Sequence, residues 1–280
     1  MLQFYDKIWS ISVLAFAALA TPMAATADSA DPVVEPGCDL ADGYGETLAN
    51  YVAEAQACLD APQSAALSEK ARDTRLLMQR IREKNGAGAL GEHPALDAAA
   101  RMHALDMAAR GYAAHADPEG RGHEERLRAI GRDLIFGAAG ANITVVDRGA
   151  TAVDIYNALI GDEISRENLF RSEFTHGGFG LAERDGRLYA VQVFAQVDGA
   201  LRQPLPVDLP IVSDIPVEFV DAGFETEGWR IETAGGDIVT RGLAPRLYRA
   251  RLAGADGYLT VEARQGTAVY ALKGPAVSAR

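Results

Sequence analysis

The hydrophobic periodicity of this sequence changes near residue 177, and that change constrains the fold more than any other feature. Four segments before it carry apolar residues at helical spacing: 68–84, 94–110, 122–130 and 151–160. After it, residues 178–183 and 187–196 alternate as strands do and flank Arg184-Asp185-Gly186, a typical hairpin turn. Helices followed by a closing antiparallel hairpin predict an α+β layered domain.

The chain beyond residue 200 predicts a second unit made of strands. Residues 201–216 are rich in proline and are interpreted as a linker. Residues 217–280 contain four or five short alternating segments separated by glycines, which predicts a small all-β C-terminal domain. A unit of about 65 residues is marginally stable alone, so it should pack on the first domain or on a partner.

The N-terminus is typical of an export signal. An apolar run from Ile8 to Ala20 is followed by the small-residue site Ala25-Thr26-Ala27, so residues 1–27 are interpreted as a signal peptide cleaved after Ala27. The run is shorter than the roughly 20 residues of a membrane-spanning helix. We expect a secreted or periplasmic protein with no transmembrane span in the mature chain. Because Asp6 offsets Lys7, an uncleaved anchor is the alternative.

Residues 28–66 are interpreted as an N-terminal extension that contains both cysteines of the chain, Cys38 and Cys58. In an oxidising compartment these cysteines should pair. The bridge would close a loop of about 20 residues and stabilise the fold by roughly 3 kcal/mol. A reactive dithiol is the alternative, but such sites usually show Cys-x-x-Cys spacing.

The acidic balance of the chain restricts its partners. The formal net charge is -12, with 48% hydrophobic and 24% charged residues. Like charge opposes an encounter with nucleic acid and with anionic lipid surfaces. We therefore expect no nucleic-acid partner, and the simplest role of the acidity is solubility.

Two histidine segments are the candidates for a functional site. His115 and His176 lie in segments with Gly, Asp or Pro neighbours, where loops can direct a ring into a cleft. His103 falls on the apolar stripe of a predicted helix and is interpreted as a core histidine. His123 heads the next helix and is interpreted as a solvent-exposed residue of its first turn.

Six pieces of sequence in order resemble the bacterial CAP superfamily, also called SCP-like, of cysteine-rich secretory, antigen 5 and pathogenesis-related proteins. They are residues 76–82, 100–108, the His115 loop through residue 120 with the helix at 126–131, Asn142-Ile143, 166–170, and the His176 segment with its hairpin. The resemblance covers residues 76–196, and we place the domain itself at 67–200. It implies an α-β-α sandwich with a surface cleft.

In many CAP proteins two histidines and two acidic residues line this cleft. The resemblance matches His115 and His176 to the two histidines and places the second acid at or near Asp162. The first acidic position is Ala141, and Ser165 and Leu159 also depart from the family pattern. Asn142 beside Ala141 is a further cleft candidate, with a structural role favoured in an irregular loop.

The loss of the first acid weakens the case for chemistry. Zinc sites usually have three or four protein ligands, and His115, His176 and Asp162 reach three only if they converge. A divalent metal such as zinc, with His115 and His176 as its ligands, is therefore an expectation that needs a further ligand. No Gly-x-Ser-x-Gly elbow and no His-Glu-x-x-His helix occurs in the sequence.

Three functions follow from the sequence. The leading hypothesis is an exported, non-catalytic module that binds an extracytoplasmic protein, an envelope component or a small ligand through a degenerate cleft. The first alternative is a metal-dependent or acid-base hydrolase, similar to a protease, that uses the histidine pair. The second is a lipid or small-ligand binder with aromatic wall residues: Tyr112, Phe136, Tyr156, Phe170 and Phe179.

Overall fold

A computed structural model describes residues 38–279, so the predicted signal peptide and its cleavage site at Ala27 lie outside the described residues. The helices of the described part are α1 (Leu48–Asp60), α2 (Ala65–Lys84), α3 (Pro94–Arg110), α4 (His123–Ile130), α5 (Ala152–Leu159) and α6 (Glu163–Phe170). The helices predicted from periodicity are present, and α2 begins three residues earlier than predicted because Ser64 caps it. None of the helices within residues 38–279 is both long enough and apolar enough to cross a membrane.

The strands of the described part are β1 (Leu134–Asp147), β2 (His176–Arg184), β3 (Arg187–Leu201), β4 (Val212–Asp214), β5 (Val217–Phe219), β6 (Glu225–Glu232), β7 (Ile238–Gly242), β8 (Arg246–Tyr248), β9 (Gly257–Gln265) and β10 (Ala268–Val277). The main sheet has eight strands in the order β2-β3-β1-β10-β9-β6-β7, with β5 paired to β3. Strands β4 and β8 form a separate pair. The β2–β3 hairpin turns at Asp185-Gly186, as predicted.

Helices cover both faces of the β2-β3-β1 part of the sheet. On one face, α3 lies so close to β2 that a Cβ atom at Gly178 would stand 2.1 Å from the Leu96 carbonyl carbon. On the other face, Ile155 of α5 and Leu169 of α6 are fully buried and pack with Phe194 of β3. The predicted α+β fold, an α-β-α sandwich with a β-rich C-terminal region, is confirmed.

Most of the C-terminal strands extend the sheet that contains β2, β3 and β1. Strand β10 pairs with β1 at Phe136 and Lys273, which joins the predicted β unit to the helical part. Two bonds reinforce the junction, because buried Arg128 of α4 donates from Nε to the Gly274 carbonyl (2.8 Å) and from Nη2 to the Leu259 carbonyl (2.6 Å). The predicted boundaries at 200 and 217 remain predictions. Strands β5, β6, β7, β9 and β10 belong to the same sheet as β1, β2 and β3.

The segment predicted as a linker contributes to the core. Leu205 and Leu209 are buried together with Trp229 and Ile231 of β6. In addition, the Arg132 guanidinium donates from Nε to the Leu205 carbonyl at 2.9 Å. Residues 201–216 are therefore fixed along the sheet by apolar burial and by backbone contacts.

The predicted disulfide between Cys38 and Cys58 is present, with an S–S distance of 2.05 Å. It ties the arm before α1 to the last turn of that helix. Thr47 caps the first turn of α1, since its hydroxyl accepts the Asn50 N–H at 3.2 Å. The bridge and the cap together hold Tyr44 and Tyr51 against the rest of the domain, where both are buried.

Candidate cleft around His115

The loop that carries His115 is fixed by charged side chains on both sides. Helix α3 ends at Gly111, whose φ of +70° is the left-handed conformation that favours glycine. Buried Arg126 of α4 donates from Nη2 to the His115 carbonyl at 2.7 Å. Asp117, also buried, accepts the Arg121 N–H and the Arg121 Nε–H, both at 2.7 Å. The His115 ring is thus exposed on a backbone that is held in place.

The N-terminal arm supports the same loop from behind. Arg121 donates from Nη1 to the Gly45 carbonyl at 3.2 Å and lies over the Tyr51 ring, 4.4 Å from its centroid. The disulfide arm therefore contacts the loop through Arg121. Sequence reasoning did not find this contact, because no local pattern links residues so far apart along the chain.

His115 and His123 are neighbours, and both act as neutral imidazoles near neutral pH. Partial burial and the positive charge of Arg126 lower the pKa of His115, while the carboxylate of Asp162 opposes the shift. The pKa of His123 is lowered by burial, by Arg126 and by His115. Its ring also forms a hydrogen bond with the Ala139 carbonyl. The expectation of a solvent-exposed His123 was wrong, since it is half-buried against β1.

Asp162 is the acid that acts on His115, but its carboxylate caps helix α6. Its Oδ1 accepts the Ser165 N–H at 2.9 Å, and its Oδ2 accepts the Ser165 hydroxyl at 2.7 Å. These two bonds hold the pKa of Asp162 below its usual range. The carboxylate is therefore ionised and stays bound to the helix terminus, where it satisfies otherwise unpaired donors.

Ala141 and Asn142 lie within strand β1, so the expectation of an irregular loop at this point was wrong. Alternation along the strand turns the two side chains to opposite faces. Ala141 is buried in the core beneath α3. Fully buried Asn142 donates to the Ser165 carbonyl at 2.8 Å and accepts from the Asn168 amide at 3.1 Å. Asn142 thus attaches β1 to α6, in line with the structural role favoured for it.

His176 is the first residue of β2, and its ring contacts a different histidine. The expected loop position is a strand position, paired with Ala195 of β3. The ring centroids of His176 and His93 are 6.0 Å apart, with ring planes at 85°. Burial and the nearby His93 lower the pKa of His176. The prediction that His176 and His115 form one site stays a prediction.

His93 is the residue that sequence reasoning missed. It precedes Pro94 at the start of α3, and its Nδ1 accepts the Ala95 N–H at 3.2 Å, so it caps the helix. Proline at the first helical position was the available signal, since it indicates that the preceding residue is an N-cap. Its closeness to His176 depends on the packing of residues 91–93 against β2, which no local pattern encodes.

Two sets of residues within 38–279 bear on the metal and lipid alternatives. In that range no group of three or more His, Cys, Asp or Glu residues is arranged to hold a metal ion. Zinc at His115 and His176 therefore stays a prediction. Of the proposed aromatic wall, Phe136 and Phe179 are buried in the core, and the Tyr112 hydroxyl donates to Asp106 at 2.5 Å.

Comparison with known proteins gives a family match. The model of the CAP family, described as the cysteine-rich secretory protein family, matches residues 77–195. An extracellular protein containing a SCP domain from Bacillus anthracis str. Ames is 22% identical, with 49% of this chain and 45% of that chain covered and a TM-score of 0.41. An outer surface protein from Borrelia burgdorferi is 15% identical, with 46% and 93% covered and a TM-score of 0.42. This chain thus spans less than half of the Bacillus protein. No curated protein matches the sequence.

Proposed function

We propose that this chain, whose residues 77–195 match the CAP family model, is an exported binding module whose His115 loop does not perform catalysis. Its partner would be an extracytoplasmic protein, an envelope component or a small ligand. The observation that carries the proposal is the state of the two acidic positions. One is Ala141, buried under α3, and the other is Asp162, bound to Ser165.

A general base or a metal needs a group that orients the imidazole or shares the ion. His115 is instead close to Arg126, a buried cation whose charge opposes both a protonated ring and a metal ion. A neutral, exposed imidazole on a fixed loop is suited to hydrogen bonding with a partner. The rigid backbone supports this role, since pre-ordered contact residues lose less entropy on binding.

Export is part of the same proposal. Both cysteines of the chain are joined in one disulfide. Stable disulfides form and persist in oxidising compartments outside the cytoplasm. The apolar run and small-residue site within residues 1–27 support the same location, with cleavage expected after Ala27.

Photo-crosslinking from the cleft loop tests the binding role. A photoreactive residue at exposed Ala116 should give adducts with an envelope component or an exported protein of the native host. The same residue at exposed Arg187, at the far end of the β2–β3 hairpin, is the matched control. A contact residue at the centre of an interface contributes about 2 kcal/mol, or roughly thirtyfold in affinity. We therefore expect His115→Ala to abolish most of the adducts formed from position 116. Any adducts formed from position 187 should be unaffected.

The alternative function, a hydrolase, predicts enzymatic activity for the wild-type protein and its loss in His115→Ala. Purified wild-type protein would cleave a denatured protein substrate or an activated ester, and His115→Ala would remove that activity. Such His115-dependent turnover overturns the proposal. So do equal adduct yields from positions 116 and 187, because they would show that the cleft loop has no special partner.

A further inference from the structure

The backbone fixes His93 beside His176. Gly91 donates its N–H to the Thr175 carbonyl at 2.8 Å, and its own carbonyl accepts the Gly177 N–H at 3.0 Å. The ring of His176 packs directly over Gly91, where a Cβ atom would stand 2.8 Å from Nε2. One histidine thus stands at a helix N-terminus and the other at a strand start. Sites on such elements are held more precisely than sites on loops.

The distance between the two rings suits a shared metal ion. Zinc lies 2.0–2.1 Å from an imidazole nitrogen, so two rings on one ion have centroids about 5 to 6.5 Å apart. The observed separation of His93 and His176 is 6.0 Å. Both rings are half-buried, so each keeps one side open to solvent and to ions in it.

Charge favours a cation here more than at His115. The carboxylates of Asp133 and Asp97 act on His93, and Asp133 would attract a metal ion, whereas the charge of Asp97 is balanced by Arg75. Arg75 faces the same region but is bound to Asp97, with Nη2 to Oδ1 at 2.5 Å. Burial lowers the pKa of both histidines, so both rings are neutral at pH 7 and have a lone pair to donate.

From this geometry we infer that His93 and His176 form a two-histidine site for a divalent ion of the zinc type, with water in the other positions. His176 would bind through Nε2, because Nδ1 lies 2.9 Å from the Thr175 hydroxyl and can donate to it. His93 would also bind through Nε2. Its ring proton then moves to Nδ1, and the hydrogen bond from the Ala95 N–H is lost.

Zinc titration by calorimetry, on protein without a polyhistidine tag, tests the site. Wild type should bind one equivalent saturably. Loss of an outer partner of a metal ligand costs about tenfold or more, and loss of a ligand should cost at least as much. We expect that loss for His176→Ala and for His93→Asn, which keeps an N-cap residue and so preserves α3. His115→Ala should bind zinc as wild type does.

Three results would overturn the inference: no saturable zinc binding, binding that survives both His93→Asn and His176→Ala, or binding that is lost in His115→Ala. Thermal unfolding of each variant confirms that it folds. The inference does not depend on the proposed binding role of the cleft, because the crosslinking from position 116 needs no metal. Either idea can fail while the other holds.

Discussion

Replacement of Arg82 by methionine is expected to lower the free energy of unfolding by about 3 to 5 kcal/mol, because the side chain is fully buried and donates to backbone carbonyls. Its guanidinium donates to the carbonyls of Ala87 (2.8 Å) and Gly88 (3.0 Å) in the turn after α2. It also donates to the carbonyls of Leu169 and Arg171 at the end of α6. Methionine would leave these carbonyls without a donor.

Thermal and urea unfolding of Arg82→Met and Arg80→Met give the comparison. Arg80 is on the same helix but is exposed, so its replacement should change stability by less than about 0.5 kcal/mol. For a chain of this size, the expected loss at Arg82 lowers the midpoint temperature by roughly 10 °C. Equal midpoints for the two variants would show that the buried guanidinium does not hold α2 to α6.

Acid is expected to destabilise the fold from about pH 6.5 downward, mainly through His103. This ring is 1% exposed, and burial, aided by the charge of Arg126, lowers its pKa to about 3. The unfolded state takes up a proton near pH 6.5 and the folded state only near pH 3, so stability falls as pH decreases between those values. The slope is about 1.4 kcal/mol per pH unit, and the total is about 4 to 5 kcal/mol.

The variant His103→Gln isolates the contribution of His103 to the pH dependence of stability. His103 Nε2 lies 2.8 Å from the Ala114 carbonyl oxygen. Glutamine also has an N–H donor for this carbonyl, but its side chain does not titrate. Urea unfolding measured from pH 7 to pH 4 should therefore show a shallower slope in the variant. The other four histidines also have lowered pKa values, so some acid sensitivity should remain. Identical slopes in the two proteins would contradict the buried neutral state of His103.

The sequence predicted most of the helical layer and the hairpin, because these elements depend on local signals. Pro94 and Gly111 bound α3, and Asp185-Gly186 turns the β2–β3 hairpin. The disulfide followed from the compartment and from the presence of two cysteines. The continuation of the sheet from β1 into β10 did not follow, since it pairs residues more than a hundred positions apart, at Phe136 and Lys273.

The candidate site was harder to predict than the fold. His115 was named from its loop neighbours and Asp162 from the resemblance, and the charge of Asp162 does act on His115. The role of Asp162 as the cap of α6 and the contact between His93 and His176 arise from packing between distant segments. A family pattern assigns residues to positions along the chain. It does not show that His176 contacts His93.

The central claim is that the ring of His176 lies beside His93 and that the ring of His123 lies beside His115. Long-range proton–nitrogen NMR spectra of the imidazole rings, followed through pH, test it directly. Because a charged His93 lowers the pKa of His176, His93→Asn should raise the pKa of His176 and leave that of His123 unchanged. Because His115 lowers the pKa of His123, His115→Ala should raise the pKa of His123 and leave that of His176 unchanged. A pKa of His176 that stays the same in His93→Asn, or a pKa of His123 that stays the same in His115→Ala, would contradict the account.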